Sequence, residues 1–149
     1  MKIAIASDHG GYELKKYVEK HLTENGIEFD DFGCDSLDSV DYPAFAEKVG
    51  QAVTTGGYPL GLLFCGTGIG MSIAANKMKG VRAACCSDIF SARFTRKHNN
   101  SNILCLGGRV VGTGLACELV DVFLSTEFEG GRHQKRLDQI AEIENKNRA

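Results

Sequence analysis

The segment Cys65-Gly66-Thr67-Gly68-Ile69-Gly70 places a cysteine at the head of a run of alternating glycines. A thiol can serve as a base or a nucleophile, and glycines let backbone N–H groups turn toward an anion. The apolar residues 60–64 before the segment predict a buried strand, and residues 71–77 after it have helix-forming composition. The thiol is therefore expected where a strand ends and a helix opens, beside a turn that favours an anion. Such an arrangement is typical of an enzyme active site.

Side chains suited to acid-base chemistry or to anion binding follow two other predicted strands. The segment Ser7-Asp8-His9-Gly10-Gly11 follows the first strand, and Gly107-Gly108-Arg109 follows the fifth. Ligands of open α/β sheets bind outside the carboxyl ends of the strands, so both segments are candidates for the same site as Cys65. His98 and Asn99 lie in the connection that enters the fifth strand, and the sequence alone does not place them.

Short apolar runs alternate with helical patterns along the whole chain. The runs predict strands at 2–6, 27–32, 60–65, 81–86 and 102–106. The helical patterns predict helices at 12–25, 41–55, 71–77, 88–97, 113–124 and 132–145, the fourth of them capped by Ser87. This alternation implies crossover connections and a parallel sheet covered on both faces. We predict one domain over residues 1–149: a doubly wound, Rossmann-like, three-layer α/β/α sandwich of about five parallel strands.

The bulk properties exclude several classes of function. The chain of 149 residues has a net charge of −2 and is 43% hydrophobic, which argues against a nucleic-acid partner. No apolar run approaches the roughly 20 residues that cross a bilayer, and the N-terminus lacks a signal-peptide pattern. We therefore predict a cytoplasmic protein with no membrane partner. Five of the six cysteines occupy apolar strand or helix positions without the spacing of a zinc site, which predicts reduced thiols and no structural metal.

Three familiar phosphate-binding loops do not fit the glycine segment. A dinucleotide fingerprint needs a glycine where Met71 stands, and it follows the first strand of its fold rather than the third. A Walker A loop needs Gly-Lys-Ser/Thr, which is absent. A cysteine phosphatase loop would place an arginine at position 71. The segment therefore belongs to a different kind of anion site.

Taken together, five segments resemble the type B ribose-5-phosphate isomerases. The wider family also includes the subunits of galactose-6-phosphate isomerase and the allose-phosphate isomerases. The resemblance spans nearly the whole chain, in the family's order and spacing, and rests on Ser7–Gly11, Cys65–Gly70, Arg82-Ala83-Ala84, His98-Asn99 and Gly107-Gly108-Arg109. It implies that the chain interconverts D-ribose 5-phosphate and D-ribulose 5-phosphate through an enediolate, in the pentose phosphate pathway, with no metal or organic cofactor.

The resemblance also implies a role for each candidate residue. Cys65 is implied to be the base, with Thr67 orienting or activating it, and His98 the acid-base group that opens the furanose ring. An imidazole suits that task near neutral pH. The implied substrate contacts are Asp8, His9, Asn99 and the loop residues Gly66, Thr67, Gly68, Ile69 and Gly70, and the implied phosphate ligands are Arg109, Arg132 and Arg136.

The C-terminal helix, at about 132–145, is predicted to leave the sandwich and pack on a second subunit. It carries apolar Leu137, Ile140 and Ile143, which need a surface to cover them, and Arg132 and Arg136 lie four apart on one face. The resemblance likewise implies a homodimer whose active site is shared across the interface. Two alternatives stay open: an isomerase of a six-carbon sugar phosphate (allose or galactose 6-phosphate), and a non-catalytic phosphosugar-binding module.

Overall fold

The computed structural model describes residues 1–148, and in that part of the chain five parallel strands form one sheet. The strands are β1 (Lys2–Ser7), β2 (Glu28–Asp31), β3 (Gly61–Cys65), β4 (Ala83–Cys85) and β5 (Ile103–Gly107). The helices are α1 (Tyr12–Glu24), α2 (Tyr42–Thr54), α3 (Ile69–Ala75), α4 (Ile89–Asn99), α5 (Thr113–Ser125) and α6 (Arg132–Asn147). The strand order is β2-β1-β3-β5-β4. The predicted α/β/α fold class is confirmed.

Two apolar cores lie on opposite faces of the sheet because successive strand side chains point to opposite sides. On β1, Ile3 and Ile5 face the core shared with α1, α4 and α5, whereas Ala4 and Ala6 face the core shared with α2 and α3. The central strands β3 and β5 are buried along their whole length, as expected of a parallel sheet covered on both faces.

The topological switch point of the sheet lies between β1 and β3, where the connections leave toward opposite sides of the sheet. The connection from β1 leads to β2 on one side, and the connection from β3 leads toward β4 on the other. The carboxyl ends of β1 and β3 therefore border a crevice, the usual ligand position in such folds. The loops that follow β1, β3 and β5 pack backbone against backbone: a Cβ on Gly108 would lie 2.7 Å from the carbonyl oxygen of Gly10.

The cap of α4 and the packing of α6 differ from the sequence-based expectations. Asp88, not Ser87, caps α4: its Oδ1 accepts a hydrogen bond from the Ser91 N–H at 2.7 Å. Helix α6 ends at Asn147 and contacts its own chain, because Leu137 is buried and a Glu144 oxygen accepts from the Gly80 N–H. Its packing on a partner stays a prediction. Among residues 1–148, no helix is both long and apolar enough to cross a membrane.

Candidate active site

The Cys65 thiol lies at the carboxyl end of β3, at the point where α3 begins. It is buried, and its Sγ accepts a hydrogen bond from the Gly68 N–H at 3.1 Å. Gly68 has a φ of 80°, and a Cβ there would lie 3.0 Å from the Cys85 Sγ. Only glycine adopts this backbone conformation without strain. The turn therefore aims a backbone donor at the sulfur.

The rest of the loop presents polar groups at the surface beside the thiol. The exposed Thr67 accepts a hydrogen bond from the Ile69 N–H through its Oγ1, at 3.2 Å. A Cβ on Gly70 would lie 2.8 Å from the ring of Tyr42, so this ring covers the loop. This position of Tyr42 leaves no local signal in the sequence, because the contact with Gly70 joins two different helices.

Asp8 and His9 border the same crevice from the end of β1. Asp8 is buried and accepts a hydrogen bond from the Gly11 N–H through its Oδ1, which fixes the short 3₁₀ turn that follows. His9 accepts the Val40 N–H through Nδ1 at 3.2 Å. A neutral imidazole that accepts at Nδ1 carries its proton on Nε2, so His9 offers a donor from that atom.

Arg109 places a cation on the third side of the crevice. Its backbone N–H donates to the Gly66 carbonyl at 2.9 Å, and a Cβ on Gly66 would lie 3.3 Å from its Nη1. The guanidinium therefore lies beside the glycine loop and is exposed. The structure thus brings together Asp8, His9, Cys65, Gly66, Thr67, Gly68, Ile69, Gly70 and Arg109, a group we call the carboxyl-edge cluster.

The other predicted site residues belong to a second group. Helix α4 runs from the carboxyl end of β4 back to the amino end of β5, so its last residues lie at the amino edge of the sheet. There the Arg82 Nε donates to the Asn99 carbonyl at 3.0 Å. The five residues of β5 separate the two edges by about 13 Å. Helix α6 begins beside His98, because its His133 ring stacks on the His98 ring. We call His98, Asn99, Arg132 and Arg136 the amino-edge cluster.

His98 is enclosed by residues to which the sequence analysis gave no catalytic role. Its ring stacks on that of His133, with centroids 4.1 Å apart, and meets Phe94 edge-on at 4.9 Å. A Glu129 oxygen lies 3.6 Å from the His98 Nε2 and 3.4 Å from the His133 Nε2. Burial and the neighbouring His98 and Arg132 lower the pKa of His133. The four-residue spacing of Glu129 and His133 is the one sequence signal for this contact.

The remaining thiols have different surroundings from Cys65. All six cysteines are free, as predicted. Burial raises the pKa of Cys86 to about 11 and that of the fully buried Cys105 well above its ordinary value. These two thiols are therefore kept neutral and act as packing groups, whereas the Cys65 Sγ receives a backbone hydrogen bond at the crevice.

A cavity of about 690 Å³ lies between α6 and the β4 side of the amino edge. Asn99 lines it together with Leu137, Ile140 and Arg148. Cys65 is not among its lining residues. The thiol is buried, with 4% of the residue exposed, and lies apart from this cavity.

The chain is similar to known proteins over nearly its whole length. Residues 3–140 match the family model described as Ribose/Galactose Isomerase. Ribose-5-phosphate isomerase B of Escherichia coli (strain K12) is 48% identical over 143 residues, which cover 96% of each chain. The structure of Clostridium thermocellum ribose-5-phosphate isomerase B is similar with a TM-score of 0.96 and 53% identity, over 98% of this chain and 99% of that one. The Mycoplasma genitalium ribose-5-phosphate isomerase B with bound ribulose-5-phosphate is similar with a TM-score of 0.92 and 43% identity, over 98% and 97%.

Proposed function

The chain belongs to the ribose/galactose isomerase family, and on that premise we propose that it interconverts D-ribose 5-phosphate and D-ribulose 5-phosphate. The observation that carries the proposal is the near full-length match to ribose-5-phosphate isomerase B structures, one of them with ribulose-5-phosphate bound. The carboxyl-edge cluster supports it independently, because a thiol, a backbone donor and a cation border one crevice.

The proposed reaction moves one proton between neighbouring carbons. With the open-chain aldose bound, the Cys65 thiolate removes the proton from C2, and the electron pair passes to the C1 oxygen to form an enediolate. Return of that proton to C1, with transfer of the hydroxyl proton between the two oxygens, gives the ketose. Backbone N–H groups of the Gly66–Gly70 loop stabilise the developing oxyanion, and the Arg109 guanidinium holds the phosphate.

Ring opening precedes this step and needs a second acid-base group, which we assign to His98. The amino-edge cluster has the groups for this work: an imidazole, the Asn99 amide and two arginines four residues apart on α6. It is separated from Cys65 in the chain by the length of the sheet. We therefore propose that two chains form a dimer, in which the amino-edge cluster of one faces the carboxyl-edge cluster of the other.

Exposed apolar side chains support the dimer. Around the glycine loop, Ile69 and Ile73 on α3 are 55% and 56% exposed. On α6, Ile140 and Ile143 are 50% and 61% exposed. Monomeric proteins rarely expose large apolar side chains in contiguous patches, and a helix with such a face typically packs on a partner. In the proposed dimer these faces are covered, and the partner borders the crevice at the ends of β1, β3 and β5.

The purified protein should convert ribose 5-phosphate to ribulose 5-phosphate, and the reverse, without added metal. The reason is that the proposed proton transfers use a thiol, an imidazole and backbone donors, while arginine side chains hold the phosphate. A substrate panel of ribose 5-phosphate, allose 6-phosphate and galactose 6-phosphate, assayed with and without a chelator, measures this. A higher kcat/KM for a six-carbon sugar would assign the enzyme to the alternative substrate class. Loss of activity with chelator and its return with a divalent ion would contradict the metal-free chemistry.

Replacing His98 with asparagine should slow turnover of the furanose form more than turnover of an open-chain substrate. General acid-base groups contribute about 10²- to 10⁴-fold, so the furanose rate should fall within that range. His21→Asn is the matched control, because His21 pairs with Asp121 on the far helices and has no proposed role. Equal losses for the furanose and for an open-chain analogue would rule out His98 as a dedicated ring opener.

A further inference from the structure

Three metal-ligand side chains converge in the amino-edge region, and the proposed reaction uses only one of them. His98, Glu129 and His133 each offer one ligand atom, and the three atoms all lie within 4.8 Å of one another. His133 is buried, His98 is half-buried and Glu129 is exposed. Two imidazoles and one carboxylate are a ligand set that proteins use for zinc, with an open fourth position in catalytic sites.

The distances in this group suit an ion better than direct hydrogen bonds. The Glu129 oxygen is 3.6 Å and 3.4 Å from the two Nε2 atoms, beyond the usual range of N–H···O hydrogen bonds, which ends near 3.2 Å. The largest separation in the group is no more than 4.8 Å, close to the span of about 4.4 Å that two ligands of one zinc ion can reach. Zinc bonds to nitrogen and oxygen are about 2.0–2.2 Å long. The lone pair of each Nε2 lies in the plane of its ring, and the two ring planes are only 15° apart. Zinc binding therefore turns the rings out of their stack, and the exposed carboxylate follows the ion.

Contacts outside the three ligand atoms already connect the segments that carry them. The Glu129 N–H donates to the Lys97 carbonyl at 3.0 Å, which ties the α5–α6 connection to the end of α4. Phe94 packs edge-on against His98 from the other side. The two elements that carry the ligands are therefore already joined before any ion binds.

We propose that His98, Glu129 and His133 form a site for Zn²⁺, and that bound zinc inhibits the isomerase. An ion on the Nε2 of His98 occupies a nitrogen of the imidazole that the proposed function uses for ring opening. The inhibitory part thus rests on the proposed function, whereas the binding part does not. Inhibition should act on the furanose substrate more strongly than on an open-chain one, and a chelator should restore activity.

The test titrates the full-length protein with Zn²⁺ by calorimetry and with Co²⁺ by absorption spectroscopy. Wild type should bind one ion per chain. His133→Asn and Glu129→Gln should each weaken binding at least about tenfold, because loss of even an outer-shell partner commonly costs 10- to 100-fold. His21→Asn is the control, because this histidine lies on α1 outside the proposed site, and the variant should bind zinc like wild type. Cobalt bound to nitrogen and oxygen should give d–d bands without the near-ultraviolet charge-transfer band of a thiolate ligand.

Two results would overturn the site. One is equal zinc affinity in wild type, His133→Asn and Glu129→Gln. The other is a thiolate charge-transfer band that disappears in a cysteine variant. The zinc-binding part and the inhibition part of the proposal can be refuted independently. Zinc binding that depends on His133, in a protein without ribose-5-phosphate isomerase activity, would refute the proposed function and keep the site. Full isomerase activity at zinc concentrations that saturate the site would refute the inhibition.

Discussion

A Cys65→Ala protein should fold and yet isomerise ribose 5-phosphate about 10²- to 10⁴-fold more slowly than wild type, the range expected for loss of a positioned base. The substitution removes one buried sulfur, which leaves a small cavity at the edge of the core rather than in its centre. The Gly68 N–H then loses its sulfur acceptor, but the crevice can supply water to it. The substitution should therefore reduce kcat strongly and change the thermal unfolding midpoint little. Steady-state kinetics measure the first effect, and thermal denaturation measures the second.

Cys105→Ala is the matched control for this prediction. Cys105 is a buried thiol in the same core, on the neighbouring strand, and it lies away from the crevice. Its replacement should cost stability and leave kcat close to wild type. Iodoacetamide should inactivate the wild type, with protection by substrate, and a Cys85→Ser background removes the exposed competing thiol. Near wild-type rates in Cys65→Ala would refute the assignment of Cys65 as the base.

Two inactive chains, Cys65→Ala and Arg132→Ala/Arg136→Ala, should regain activity when they are mixed and allowed to exchange subunits. In a heterodimer one of the two sites receives Cys65 from one chain and both arginines from the other, so that site is intact. Random exchange of equal amounts makes half of the dimers mixed, and about a quarter of the wild-type activity should return for a two-fold dimer.

The structure offers a sharp control for the mixing experiment. Arg109 lies beside Gly66 of its own chain, in the same cluster as Cys65. A mixture of Cys65→Ala and Arg109→Ala chains should therefore stay inactive, because every site then lacks one of the two groups. Activity in this control, or none in the first mixture despite measured subunit exchange, would show that the shared site is wrong.

The sequence by itself determined the elements of the fold and one half of the candidate site. Alternating apolar runs and helical patterns predicted each strand and helix to within a few residues, because burial on both faces leaves a local pattern in a parallel sheet. Cys65 and the glycine loop could be assigned to the crevice for a similar reason. The loop follows its strand directly, and the carboxyl ends of parallel strands always share one edge.

Only the tertiary structure decided how the remaining groups are arranged. The position of β5 between β3 and β4 brings Arg109 against the Cys65 loop, and no local pattern encodes that strand order. The same topology sends His98 to the opposite edge of the sheet, where it meets Glu129 and His133. Likewise Tyr42 reaches Gly70 from another helix. These contacts join residues far apart in sequence, and they depend on the path of the chain through the sheet rather than on the residue types at neighbouring positions.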